Sequence, residues 1–180
     1  MPTNADRPAR GGTRAAPVRR TSPHPRATLA LTIQIGERSP ALPVDRPQLR
    51  RWAQAALARP AELVLRFVSH AEGRELNRAF RGRDYATNVL TFPYDDPDEA
   101  DDAPVRADIV ICLPVLAREA RAQRKTLRDH LAHLVVHGVL HAQGWDHLDD
   151  AQAQAMEACE RRLLARFRIA DPYRDGASPG

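Results

Sequence analysis

At 180 residues and 43% apolar composition the chain suits one domain with a single core, and it contains no run of eighteen apolar residues that would span a membrane. Its net charge of +4 is concentrated at the front: residues 1–27 hold six arginines against Asp6, a net of +5, so the remainder sums to −1. The high basicity therefore belongs to a tail and does not by itself argue for nucleic-acid binding by the fold. Cys112 and Cys159, the two cysteines, sit in apolar-patterned segments and read as reduced core thiols. With no apolar secretory leader at the N-terminus, the expected compartment is the cytoplasm.

Residues 1–27, rich in Pro, Gly, Arg and Thr without hydrophobic period, read as a disordered basic extension, either dispensable or an arm that holds polyanions. The folded domain is expected over 28–169. Leu29 to Ile35 alternates apolar and polar residues, as a half-buried strand does. Pro47 to Leu57 predicts a helix with Leu49, Trp52, Ala53 and Ala56 inward, Ala61 to Val68 a second strand, and Glu72 to Phe80 a short helix. Brief strands are expected at Asn88 to Phe92 and Asp108 to Cys112. The acidic stretch 95–102 between them, DDPDEADD, reads as a solvated loop. Helices follow at Leu113 to Gln123, with Pro114 in the first turn, at Leu127 to Gln143 and at Asp150 to Phe167. The last carries Met156, Cys159, Leu163 and Phe167 on its buried stripe. Residues 170–180 read as a flexible tail. The sum is an α+β domain: one small mixed β-sheet packed with about five helices, and a metal site at the end of a central helix.

The metal site follows from the histidines, five of whose seven fall between positions 130 and 147. At 100° per residue His130, His133, His137 and His141 share an arc of about 80° on one helix face. His137 and His141 have the i, i+4 spacing of helical zinc sites, one turn apart. Gly144 can take the left-handed conformation that ends a helix and turns the chain, bringing His147 back toward the first two rings. Three nitrogen ligands leave the fourth position that a catalytic zinc keeps open. His130 and His133, earlier on the helix, are expected to pack or hydrogen-bond behind the site. Asp146 is either a carboxylate holding a ligand imidazole from behind or a turn residue. Trp145 reads as packing over the site.

The spacing H-x3-H-x5-H with Gly144 is that of metzincin-type zinc peptidases, which carry a glutamate base directly after the first histidine. Gly138 stands there in this chain, so a peptidase lacks its base. The glycine is expected to clear space beside the metal for a bulky group such as phosphate.

His137-Gly-Val-Leu-His141-Ala-Gln-Gly144-Trp-Asp146-His147 resembles the zinc motif of the YbeY family of bacterial rRNA-maturation endoribonucleases. Two further blocks resemble the same family: Leu76 to Asp84 (LNRAFRGRD) followed by Thr87 to Pro93 (TNVLTFP), and Ala107 to Cys112 (ADIVIC). The similarity runs from about Thr28 to Phe167. It implies a single-strand-specific, zinc-dependent endoribonuclease that matures the 3′ end of 16S rRNA and acts in late ribosome quality control. The implied partners are single-stranded segments of 16S rRNA and the small ribosomal subunit or a ribosomal protein, with no membrane. The resemblance further implies one Zn2+ per chain on His137, His141 and His147, and a functional arginine at Arg81. Arg81 also makes chemical sense, because a guanidinium fork matches the oxygens on which phosphodiester cleavage builds charge. Arg83 is a candidate for contact with the RNA backbone. Asp146 and His133 are the candidates for supporting the ligands from behind. The chain departs from the family pattern at Ala107, where glycine is usual, and at Ala142-Gln143, where an apolar pair is common. Two other readings use the same residues: a ribosome-assembly factor with a structural zinc, and a zinc peptidase.

Overall fold

The computed structural model describes residues 27–94, 103–146 and 148–174. The basic extension up to residue 26, the acidic stretch 95–102, His147 and residues 175–180 lie outside the described residues.

Among the described residues nine elements follow in order: β1 (Leu29–Ile35), α1 (Arg46–Ala56), β2 (Ala61–Val68), α2 (His70–Arg81), β3 (Val89–Pro93), β4 (Val105–Cys112), α3 (Leu113–Ala122), α4 (Leu127–Ala142) and α5 (Asp150–Ala165). The strands form one sheet in the order β1-β2-β4-β3. β1, β2 and β4 are parallel, while β3 runs antiparallel to β4 at the edge, with Val89 opposite Ile111, Thr91 opposite Ile109 and Pro93 opposite Ala107. This is the mixed α+β sheet with five helices that the pattern predicts.

Local chemistry sets the helix starts. Asp45, Ser69, Thr126 and Asp149 each accept a hydrogen bond from the backbone N–H three residues on, satisfying a donor that the first turn leaves open. The Ser69 cap starts α2 at His70, two residues before the predicted start. β4 likewise begins at Val105, three residues early, because Val105 and Ala107 continue the buried alternation of Ile109 and Ile111 while Arg106 and Asp108 point the other way.

The period-2 alternation divides the core. Leu63, Leu65, Phe67, Ile109 and Ile111 face α1, α4 and α5, whereas Val68, Leu90, Val110 and Cys112 form a smaller cluster with Leu76 and Val115 on the opposite face. The helix α4 is not amphipathic: every residue from His130 to Leu140 is buried, because sheet and helices cover it on all sides. Both cysteines are buried free thiols. Among the described residues no helix is long and apolar enough to cross a membrane.

Gly138 is the hinge of this packing. A Cβ there would stand 2.6 Å from Ile109 Cγ2 and 3.4 Å from Thr91 Oγ1. The glycine thus lets α4 lie directly on β4 and the edge strand β3. This corrects the expectation that Gly138 clears room for substrate: the space is filled by Ile109.

Candidate metal centre and cleft

Laying α4 on β3 and β4 brings its last two turns to the edge of the sheet. A cleft of about 360 Å³ opens there. β3 walls it with Val89, Thr91 and Pro93, α4 contributes His137 and His141, the following turn contributes Gly144, Trp145 and Asp146, and Arg81 reaches in from the end of α2. Three predicted residues, His137, His141 and Arg81, therefore meet in one cavity although up to 60 positions separate them in sequence.

The two imidazoles converge through the same atom. His141 Nε2 lies 3.1 Å from His137 Nε2, with the ring planes at 77°. His137 Nδ1 lies 2.8 Å from Glu160 Oε1. An ionised carboxylate only accepts, so Nδ1 carries the proton and the Nε2 lone pair points at His141 and the cleft. Tetrahedral zinc with bonds of about 2.0–2.1 Å places neighbouring nitrogens about 3.3 Å apart. The donor set and spacing thus fit a divalent zinc-like ion. Position 147, the third predicted ligand, lies outside the described residues; its neighbour Asp146 lines the cleft.

Gly144 adopts the predicted positive φ, 84°, and nothing stands within 4 Å of a Cβ built on it, so its role is conformational. Trp145 N–H donates to Leu140 O at 3.1 Å and Gly144 N–H to His141 O at 2.9 Å, closing α4. Gln143, one of the departures from the family pattern, anchors this turn to α1: its amide donates to Ala56 O and Val139 O and accepts from Ala58 N–H.

Behind the two rings lies a buried polar layer that sequence reasoning captured only in part. Glu160 on α5 is 0% exposed, and besides His137 it accepts from His133 Nε2 at 3.0 Å. Burial works against its ionisation, but the hydrogen bonds from His133 and His137 outweigh it and hold the carboxyl down at about 2. Burial likewise pushes the His133 imidazole down, and its Nε2, which faces the Glu160 carboxylate, donates there. His133, His137 and Glu160 offer atoms within 4.8 Å of one another and form a group that could hold a metal ion. Their mutual hydrogen bonds already use those atoms, whereas the Nε2 pair opens onto the cleft. One turn earlier, His130 Nε2 lies 2.9 Å from Glu119, which also accepts from Asn88 at the start of β3.

Arg81 is positioned by the turn that follows it. Gly82, at φ 67°, caps α2 in the left-handed conformation and its N–H donates to Arg78 O. Buried Asn77 donates to Tyr85 O at 2.7 Å, and Arg74 grips Asp84 through two hydrogen bonds. Arg83 is exposed on this turn and is not part of the cleft lining.

Glu160 left a signal in the sequence. Positions 156, 159, 160 and 163 share one face of α5, so a carboxylate lay inside the predicted apolar stripe. A buried acid on such a stripe needs donors, and histidines are the obvious ones. The pairing of that stripe with α4 was not legible.

Comparison with known proteins extends the picture. The sequence model of the family described as "Endoribonuclease YbeY" matches residues 34–168. A curated relative of that name from Bordetella pertussis is 57% identical over 155 residues, covering 81% of this chain and 96% of that protein. The namesake from Herminiimonas arsenicoxydans is 53% identical over 148 residues, covering 81% and 95%, and that from Cupriavidus pinatubonensis is 50% identical over 171 residues, covering 92% and 83%. The match runs from within β1 to just beyond α5 and so includes every element that walls the cleft. The chain belongs to the endoribonuclease YbeY family.

Proposed function

We propose that this chain is a zinc-dependent endoribonuclease that cuts single-stranded RNA in the cleft between α4 and β3, acting on 16S rRNA of the small ribosomal subunit in the cytoplasm. The observation that carries the reading is the meeting of a phosphate-matching guanidinium, Arg81, with a converging imidazole pair, His137 and His141, in a chain whose relatives are named endoribonucleases. The ribosomal substrate rests on the resemblance of the three sequence blocks to the family.

In this mechanism His137, His141 and His147 would hold one zinc ion, which when bound would supply Lewis acidity toward a phosphate oxygen. Glu160 keeps the His137 proton on Nδ1, so that ring offers its lone pair throughout and does not shuttle protons. Arg81 pairs with the non-bridging oxygens and binds them more tightly as charge builds on the phosphorus. Val89, Thr91 and Pro93 form a wall at the sheet edge, against which the proposed single strand would lie. Attack by water or by the RNA 2′-hydroxyl breaks the P–O bond; a 2′,3′-cyclic phosphate on the product identifies the latter.

The peptidase reading lacks its base, because position 138 is glycine. A Cβ there would stand 2.6 Å from Ile109 Cγ2, so the packing disfavours a glutamate at that position. A structural zinc, as an assembly factor would hold, is closed on all sides, whereas His141 is only half-buried at an open cleft.

The test compares wild type, His141→Ala and Arg81→Ala on single-stranded and duplex RNA. Wild type is expected to cut only the single strand. Arg81→Ala should keep its metal and lose about 10²–10³-fold in rate, the scale of removing one transition-state donor. His141→Ala should lose both metal and cleavage. Cleavage at the wild-type rate in both variants would contradict the proposal.

A further inference from the structure

Residues 171–174, which the sequence assigns to a loose tail, lie against the core. Pro172 is buried, and its carbonyl accepts from Lys125 Nζ in the loop between α3 and α4. Asp171 accepts from Arg161 Nε at 3.2 Å and from its own segment's Tyr173 N–H at 2.9 Å, and the Arg161 guanidinium sits 4.9 Å from the centre of the Tyr173 ring. These contacts fix a strap that carries the Tyr173 hydroxyl into the layer behind the imidazole pair. There it donates to Glu160 Oε2 and lies 3.1 Å from His133 Nε2, with its ring edge-on to His133 at 5.3 Å.

The carboxylate of Glu160 is thus held at both oxygens. On Oε1 it takes the His137 proton; on Oε2 it takes the His133 proton and the Tyr173 hydroxyl. His133 Nδ1 has no hydrogen-bond partner among the described residues, so this ring engages the layer through Nε2 alone. We propose that Tyr173 is a positioning residue of the metal centre: through Glu160 it fixes the tautomer and orientation of His137, making the C-terminal strap part of the site. Without the hydroxyl, Oε2 keeps one donor, and the carboxylate gains freedom to rotate away from His137 Nδ1. His137 then shares its proton between both nitrogens, and the lone pair aimed at the cleft is present only part of the time.

The inference rests on the reading that His137 holds the zinc, and two readouts separate it from that reading. In metal-free full-length protein, ring-nitrogen chemical shifts should report His137 as the Nδ1–H tautomer in wild type and as a mixture in Tyr173→Phe. Zinc affinity, measured by chelator competition, should fall about tenfold in Tyr173→Phe, the scale of losing an outer-shell partner. Phenylalanine keeps the ring against His133 and Arg161, so a purely structural tyrosine would leave both readouts unchanged. Wild-type affinity together with a wild-type His137 tautomer in Tyr173→Phe would overturn the proposal. Should that variant not fold, Asp171→Ala, which removes the acceptor that Arg161 and the Tyr173 N–H share and lies outside the buried layer, decides by the same two criteria. If His141→Ala binds zinc like wild type, the zinc reading fails, while the His137 spectrum still decides the role of Tyr173.

Discussion

Single acids organise the space behind the cleft, Glu160 fully buried and Glu119 half-buried. Glu119 receives His130 Nε2 at 2.9 Å and Asn88 Nδ2 at 3.0 Å, tying α3 to α4 and to the entrance of β3. Burial raises its carboxyl, yet the hydrogen bonds from His130 and Asn88 win, and the group lies below its ordinary value of 4.5. A carboxyl lowered in the folded state stabilises fully above its unfolded value, and this contribution is lost as pH falls through the folded one. Acid unfolding followed by circular dichroism should therefore show part of the stability disappearing below about pH 4.5, and Glu119→Gln should flatten that part of the curve. An unchanged acid limb in the variant would remove Glu119 from the account. At this scale the sequence was informative about the histidines and silent about their partners. Spacing along one helix placed His137 and His141 a turn apart, but Glu119, Glu160 and Tyr173 come from three other segments, and helix period carries no record of which face meets which.

Elements were more legible than their contacts. Leu29–Ile35 and Ala61–Val68 were readable in full, the first from its alternation, and α1, α3 and α4 to within a residue or two at each end. Alternation did not reveal that α4 is buried all round, because burial on the second face comes from α1, α3 and α5, whose docking is a tertiary property. Nor did it show why position 138 is glycine. With Ile109 Cγ2 2.6 Å from a built Cβ, Gly138→Ala must push α4 off the edge of the sheet or strain β4. The expected cost is about 1–3 kcal/mol, the range for overpacking a filled interior, read as a lower denaturant midpoint. The same shift moves His137 and His141 relative to Thr91 and Arg81, so cleavage should fall by more than the folded fraction does. A variant as stable as wild type would show that the helix has slack over Ile109.

Across the whole molecule the cleft forms where the two sheet faces meet at the edge strand β3. Arg81 arrives on α2 from the face of the smaller cluster, the histidines arrive on α4 from the main core, and β3 stands between them. Neither face alone contains the site, which explains why blocks far apart in sequence had to be read together to find it. On the proposed reading it also separates the arginine from the metal ligands, because α2 carries the one and α4 the His137–His141 pair. On the proposed mechanism, RNA cleavage depends on one metal ion held by His137, His141 and His147. The direct measurement strips the protein with a chelator and titrates zinc back while bound metal and single-stranded RNA cleavage are followed together. Activity should be absent from the stripped protein and return in proportion to bound zinc, saturating at one equivalent, with His141→Ala showing neither binding nor recovery. Full-rate cleavage by the stripped protein, or full recovery in His141→Ala, would contradict the account.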